Sequence, residues 1–239
     1  MAGETVKTEA ICLDIRPWSR TSHVVSWLTP SGKVTTVVKG AERPKSLFLG
    51  QYDLNYRCEI LYYARAKGEL HALRECVPLD LREGLRDDYR ALALAGYCRK
   101  LAGDLAPAGA DCRTWYETLE RALGACASRP SGAGTAFWLP LMLRYELSAL
   151  ELSGLKPDFS GYDREAEWSS FSVETGAFSE GGGRCVRISR TVAAYLDNPW
   201  LPVENLQIPL DAARVIGVFY QFHLDCASDV RRVVLGMIA

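Results

Sequence analysis

Lys39, Arg43 and Lys45 fall within seven residues of the stretch VVKGAERPKSLFLG (residues 37–50), around Gly40 and Pro44 and just ahead of Leu47, Phe48 and Leu49. Long flexible cations on a turn are suited to neutralising the phosphates of a polyanion. The same composition also describes an ordinary solvated turn. The wider segment is asymmetric in charge. Residues 16–45 carry Arg16, Arg20, Lys33, Lys39, Arg43 and Lys45 against one acid, Glu42, a net +5 in a chain of net −1, so the remainder carries −6. Such asymmetry points to a polyanion partner. Because the whole chain is nearly neutral, any nucleic-acid surface has to be local. Glu42 fits a pure phosphate binder poorly; it either holds Arg43 or Lys45 in place or faces solvent.

Aromatic side chains are interleaved with these cations: Trp18, Trp27, Phe48, Tyr52, Tyr56, Tyr62 and Tyr63. Single-strand binders combine a cationic groove with aromatic faces on which bases stack. Trp27, Tyr56, Tyr62 and Tyr63 lie in extended runs, where about half of such residues belong to a core. Trp18, Phe48 and Tyr52 fall at the ends of runs, and Trp18 and Tyr52 are the candidates for stacking.

Signatures of catalysis are missing. His23, His71 and His223 have no neighbouring His or Cys at metal-ligand spacing, and each reads as a structural or surface residue. There is no G-x-S-x-G elbow and no G-x-x-x-x-G-K-[ST] phosphate loop. Gly132-Ala133-Gly134 lacks the third glycine of a dinucleotide fingerprint, and Gly181-Gly182-Gly183 precedes no suitable helix. The expectation is a protein that is not an enzyme.

The elements that must position these residues change character near Pro78. Before it, TEAICLDIRPW, SHVVSWL, KVTTVVKG, DLNYRCEILYYA and ELHALREC are five short runs rich in β-branched and aromatic residues. Thr29-Pro30-Ser31-Gly32 supplies a hairpin turn and Lys67-Gly68 another. Five strands in so short a span suit a small closed barrel, which leaves no sheet edge exposed. Strand ends and connecting loops are where such a barrel binds extended ligands. From Asp80, a suitable cap, Leu81, Leu85, Tyr89 and Leu92 recur at helical spacing. Further helices are expected through Trp115, Leu119 and Leu123; over residues 138–154, ending at Gly154; through Val215, Ile216, Phe219, Tyr220 and His223; and from near Asp229. Residues 128–135 read as a loop. Residues 156–188, rich in Ser and Gly, read as a loop or small β insertion. The domain division expected is 1–79 and 80–239.

Eight cysteines are scattered without a C-x-x-C pair and read as reduced, mostly small core residues. No basic leader precedes an apolar run and no stretch of about 20 apolar residues occurs, so a cytoplasmic location is expected.

The stretch IRPWSRTSHVVSWLTPSGKVTTVVKGAERPKS, followed by GQYDLNYRCEILYYAR, resembles the N-terminal domain of the RecO family, bacterial mediators of DNA repair and recombination. The T-P-x-G-K turn, the K-G-A-x-R-x-x-K-S segment and the acidic-aromatic strand carry the likeness, and LRYELSALELSGLKPD resembles the family's central helix. The resemblance implies an α+β protein: a five-stranded OB-fold β-barrel, then an α-helical domain. It also implies binding of single- and double-stranded DNA, annealing of complementary strands, and assembly with RecR. Contact with the C-terminal tail of single-stranded DNA-binding protein and help in loading RecA belong to the same expectation, as does a nucleoid-associated location in a bacterial cytoplasm. The DNA contacts would fall to Arg16, Arg20, Lys33, Lys39, Arg43 and Lys45, with Trp18 and Tyr52 against bases. An acidic, apolar tail would need a groove edged by a cation, for which Arg144 beside Leu147, Leu150 and Leu155 is the candidate set; the leucines could equally be core.

One departure stands out. Family members often carry a four-cysteine zinc site after the central helix. Here GYDRE (161–165) has no Cys, and of the second pair only Cys185 remains, with Ile188 in its partner's place. One thiolate cannot build a tetrahedral structural site, so a degenerate, zinc-free, zinc-ribbon-like insertion over 156–188 is expected, with no cofactor. Two other functions fit the residues: an OB-fold module for RNA, and a non-enzymatic adapter whose basic face meets an acidic protein.

Overall fold

The computed structural model describes residues 4–65, 68–108, 111–179, 182–202, 205–224 and 228–239. Lys67 of the second expected turn, Gly181 of the glycine triplet and Cys226 lie outside the described residues. Contacts divide the chain into two units, one of residues 1–88 with 99–128, the other of 89–98 with 129–239. The expected boundary at 79/80 follows the change of texture; by packing, the helix after it is shared and the next one joins the strands.

In the first unit, β1 (Glu4–Ser19), β2 (Ser22–Thr29), β3 (Gly32–Val38), β4 (Arg57–Ala64) and β5 (Leu70–Asp80) close a barrel in the order β1-β2-β3-β5-β4. All neighbours are antiparallel except β3 and β5, which pair in parallel from Thr35↔Leu70 to Val37↔Ala72. Strand β1 makes closure possible. Residues 4–11 pair with β4 and residues 11–19 with β2, and the register shifts between Cys12 and Asp14. A bulge of this kind bends a long strand and increases its twist. Inside the barrel, Trp27, Cys12, Cys58, Ile60 and Val25 are buried without exposure. The Trp27 indole N–H donates to Thr36 Oγ1 at 2.9 Å, so its polar edge is satisfied. The expected hairpin turn forms: Thr29 Oγ1 donates to Gly32 O (2.8 Å) and accepts from Ser31 N (3.2 Å).

The helix expected from Asp80 does not start there. Asp80 ends β5, Arg82 adopts a left-handed φ of 49°, and a 3₁₀ turn covers Glu83–Asp87 before α1 (Tyr89–Leu105) begins. Asp80 Oδ1 does accept from Arg82 N at 2.8 Å, but it caps a turn rather than a helix. The Arg82 guanidinium is buried, donating to Asn55 O (2.8 Å) and to Glu120 on α2 (Arg113–Ala127). This tertiary pin outweighs the helical spacing of Leu81, Leu85, Tyr89 and Leu92; of the four, only Leu85 is buried. Helix α2 forms as expected, burying Trp115, Leu119 and Leu123.

The second unit contains α3 (Thr135–Leu152), α4 (Arg190–Asp197), α5 (Gln207–His223) and α6 (Ser228–Ile238), with a three-stranded sheet of β6 (Trp168–Ser172), β7 (Ala177–Phe178) and β8 (Cys185–Ser189) in the order β7-β6-β8. Helix α3 ends in a paired Schellman closure: Gly154 N donates to Glu151 O (3.0 Å) and Leu155 N to Leu150 O (2.9 Å), with Gly154 at φ +72°. The insertion is therefore the small β excursion, not a loop alone. Helix α4 was not foreseen; its signal is the cap, Ser189 Oγ accepting from Val192 N. Cys12, Cys58, Cys76, Cys98, Cys112 and Cys126 are buried, in keeping with a role as small core residues. No helix among the described residues is long and apolar enough to cross a membrane.

Candidate nucleic-acid interface

The register places the end of β1, the start of β2 and the end of β3 on one rim of the barrel, because Ser19 pairs with Ser22 and His23 pairs with Val38. The loop after β3 is fastened to this rim. Gly40 N donates to Ser22 Oγ (3.2 Å) and Glu42 N to Thr21 O (3.3 Å). Gly40 sits at φ +67°, and a Cβ there would meet Arg43 Cδ at 3.1 Å, so this turn wants glycine. Arg43 N closes on Gly40 O (3.1 Å) and Ser46 N on Arg43 O (2.9 Å).

Arg20 in the β1–β2 turn and Lys39, Arg43 and Lys45 on the loop are all exposed and share this end of the barrel. Arg16, also exposed, is paired to Asp14 two residues back. Lys33 does not join them. It lies at the start of β3, the opposite end of that strand, and its Nζ donates to Gly103 O in the last turn of α1 at 3.0 Å. A cation beside terminal helix carbonyls is stabilised there, so the structure assigns Lys33 a structural partner rather than a place on the rim.

The two aromatic candidates separate. Trp18 is 61% exposed, and the register shift between Pro17 and Ser19 makes it the bulged residue. Tyr52 is half-buried against the barrel core, edge-on to Trp27 at 6.0 Å, with its hydroxyl 2.8 Å from His23 Nδ1. Burial pushes the Tyr52 hydroxyl well above its usual pKa. Its ring is committed to packing, which corrects the expectation that it stacks on bases. Tyr56 and Tyr62 are core, while Tyr63 is exposed beneath the Arg74 guanidinium, 4.5 Å from its ring centre.

His23, expected only as a structural or surface residue, is the partner of Glu42. Glu42 holds neither Arg43 nor Lys45: its Oε1 lies 2.9 Å from His23 Nε2. The carboxylate only accepts, so Nε2 carries the proton and the Tyr52 hydroxyl faces Nδ1. The available signal was one acid in a cationic run.

The second unit holds a cleft of about 380 Å³ whose lining includes Arg144, Leu147, Lys156, Phe159, Leu196 and Trp200. Arg144 Nε donates to Pro199 O (2.9 Å), and its guanidinium lies 4.5 Å over the Trp200 ring. Leu150 is fully buried and cannot line a docking groove, which corrects that part of the expected set. Leu155 is half-buried at the end of α3, outside the lining. Glu151, Asp158 and Asp197 share the cleft, and Lys156 is paired to Glu151 at 2.9 Å, which leaves Arg144 as its principal cation.

Residues 1–82 match the family model described as Recombination protein O N terminal. Over these residues the chain is similar to the N-terminal domain of RecO proteins. Three proteins named DNA repair protein RecO are similar over more of it. That of Alkaliphilus metalliredigens is 27% identical over 178 residues, 72% of this chain and 69% of the relative. That of Roseiflexus sp. is 29% identical over 187 residues, 77% and 62%. That of Moorella thermoacetica is 28% identical over 153 residues, 63% and 54%. The matches thus span between about half and two thirds of these RecO relatives. The part shared with the N-terminal family model is the barrel, the unit that carries the cationic rim.

The four-cysteine set expected of RecO proteins is not matched here. Cys185 Sγ faces Gly182 O at 3.3 Å, and no group of three or more metal-ligating side chains occurs among the described residues. These donors do not fit a tetrahedral zinc.

Proposed function

We propose that this chain acts in DNA repair and recombination as a non-enzymatic mediator that binds DNA on the rim of an OB-fold barrel. The observation that carries the reading is the gathering of exposed Arg20, Lys39, Arg43 and Lys45 on one barrel end, with their loop hydrogen-bonded to the β1–β2 turn. The strand order with parallel β3–β5 closure supports an OB fold, whose loops and strand faces take extended single strands. Trp18 is the exposed aromatic available to a base.

The mechanism is electrostatic. Phosphates of a single strand sit against the four cations, and counterions are released. A second, complementary strand meets a surface on which backbone repulsion is reduced, so bases can pair; duplex binds through the same phosphates. No bond is made or broken. In this reading the chain works with RecR and helps load RecA onto DNA coated by single-stranded DNA-binding protein. The acidic, apolar tail of that protein would enter the cleft beside Arg144, Leu147 and Trp200. The insertion functions without zinc; metal analysis finding one equivalent of zinc in purified protein would overturn that point.

The test is binding of an oligo(dT) strand as a function of salt. Four neutralised phosphates give a slope of log affinity against log salt of about −2.8. A slope near zero would remove the phosphate-binding mode, and an acidic protein partner would then be the better reading.

A further inference from the structure

Leu47 and Leu49 are 88% and 62% exposed. They flank Phe48, which packs against the barrel core. The tip is braced by its own hydrogen bonds. Phe48 N donates to Ser46 Oγ (3.2 Å), Leu49 N to Ser46 O (3.4 Å) and Gln51 N to Phe48 O (3.1 Å), with Gly50 at φ +73° closing the turn. Core packing therefore explains Phe48 and leaves two large aliphatic side chains held in water on either side of it. They lie two and four residues beyond Lys45, on the same hydrogen-bonded run as Arg43.

We infer that Leu47 and Leu49 are base-contacting residues: an apolar wedge that packs against, or between, unstacked bases of a strand whose phosphates pair with Arg43 and Lys45. This rests on the DNA-binding reading above. Charge complementarity selects the occupant. A strand drawn to these cations places its apolar base faces within reach of the same turn, whereas a neutral apolar protein surface would gain nothing from them. Wedges of Leu, Ile or Phe beside phosphate contacts are a recurrent way to engage bases without reading their identity. Leucine has no donor or acceptor, so the contact tolerates any sequence.

The experiment measures binding of the full chain to a labelled oligo(dT) strand and to an abasic strand of equal length and charge. The wild type is compared with Leu47→Ser/Leu49→Ser; both sites are exposed, and thermal melting checks that the fold is kept. The expected result is a preference of about tenfold for the base-bearing strand in the wild type. The variant should lose about fivefold on that strand, with abasic binding and salt slope unchanged. Equal losses on both strands, or no loss on either, overturn the inference while leaving the phosphate-binding rim intact. A change in self-association by sedimentation without an effect on DNA also overturns it, and assigns the leucines to a protein contact. Failure of the wild type to bind either strand overturns the DNA-binding reading itself.

Discussion

Nε2 of His23 lies 2.9 Å from Oε1 of Glu42, and Nδ1 of the same ring lies 2.8 Å from the Tyr52 hydroxyl. This chain of three side chains runs from the barrel core to the cationic loop. Tyr52 is anchored against Trp27, His23 stands on β2, and Glu42 belongs to the loop itself. An acid that looks out of place among phosphate-binding cations is thus a strut. It holds the loop to the rim by its side chain as Glu42 N does by its backbone bond to Thr21.

Charge and strut can be separated at Glu42. In Glu42→Gln the side-chain oxygen still accepts from His23, but one negative charge beside the phosphates is gone. Exposed charge interactions are worth about 0.2–1 kcal/mol, so oligo(dT) affinity should rise up to about fivefold at low salt. Glu42→Ala removes the same charge and the strut together, and should bind more weakly than Glu42→Gln. Fluorescence anisotropy reads both. Equal affinity of the two variants would mean that the His23–Glu42 contact does not position the loop.

The six basic residues of the 16–45 segment are expected to divide by function. Replacing Lys39, Arg43 and Lys45 by Ala should reduce the salt slope from about −2.8 to about −0.7 and weaken all sequences alike, because phosphates carry no base identity. Lys33→Ala should leave the slope unchanged. It should instead cost about 0.5–1 kcal/mol of stability, the scale of a cation at a helix C-terminus, a fall in Tm of about 1–4 °C. A Lys33 variant that loses DNA affinity with its Tm intact would put that residue back on the interface.

Much of the barrel was legible in the sequence because its signals are local. β-branched runs broken by Thr29-Pro30-Ser31-Gly32 specify strands and a hairpin whatever packs on them, and five such runs have few ways to bury one face each. The cationic loop was legible for the same reason, as charge along the chain. What was not legible depends on partners distant in sequence. Nothing local in Asp80–Asp88 announces that Arg82 will be buried against Asn55 and Glu120, thereby delaying the helix to Tyr89. Nothing local distinguishes Tyr52, committed to Trp27 and His23, from Trp18, lifted out by a bulge. That Lys33 and Lys39 stand at the two ends of one strand is readable from the run itself, but nothing local announces that Lys33 will donate to Gly103 O on α1.

The second unit is pinned by a buried ion pair. Glu146 is fully buried on α3 and accepts from Arg231 Nε (2.7 Å) and Nη2 (3.0 Å) on α6 and from the Tyr97 hydroxyl (2.6 Å) on α1. Arg231 also donates to Ala213 O on α5 at 2.9 Å. Removing one member leaves the other charge buried and unpaired, so Glu146→Leu or Arg231→Leu alone should cost about 3–5 kcal/mol. The double replacement leaves no orphaned charge and should cost clearly less than the sum of the two. Urea denaturation of the four proteins closes the cycle. Additive losses would show that the pair is not coupled.

His71 on β5 gives the barrel a pH-dependent term. Its ring stacks on Tyr62 with centroids 5.4 Å apart, and Nδ1 accepts from Arg65 N at 3.2 Å, a bond that only the unprotonated nitrogen makes. Partial burial, with the nearby Arg65 charge, lowers its pKa below the ordinary 6.5. Between the folded pKa and 6.5 the unfolded chain therefore binds more protons than the folded one, and stability rises with pH across that window. The contribution is complete above about pH 6.5 and is lost as the pH falls through the folded value. Gln at this position keeps a neutral acceptor for Arg65 N and removes the titration. Melting curves of the wild type and His71→Gln between pH 7.5 and 5.0 should show the variant losing Tm less steeply as the pH drops below 6.5. Parallel slopes would mean that His71 protonates in the folded barrel as easily as in the unfolded chain.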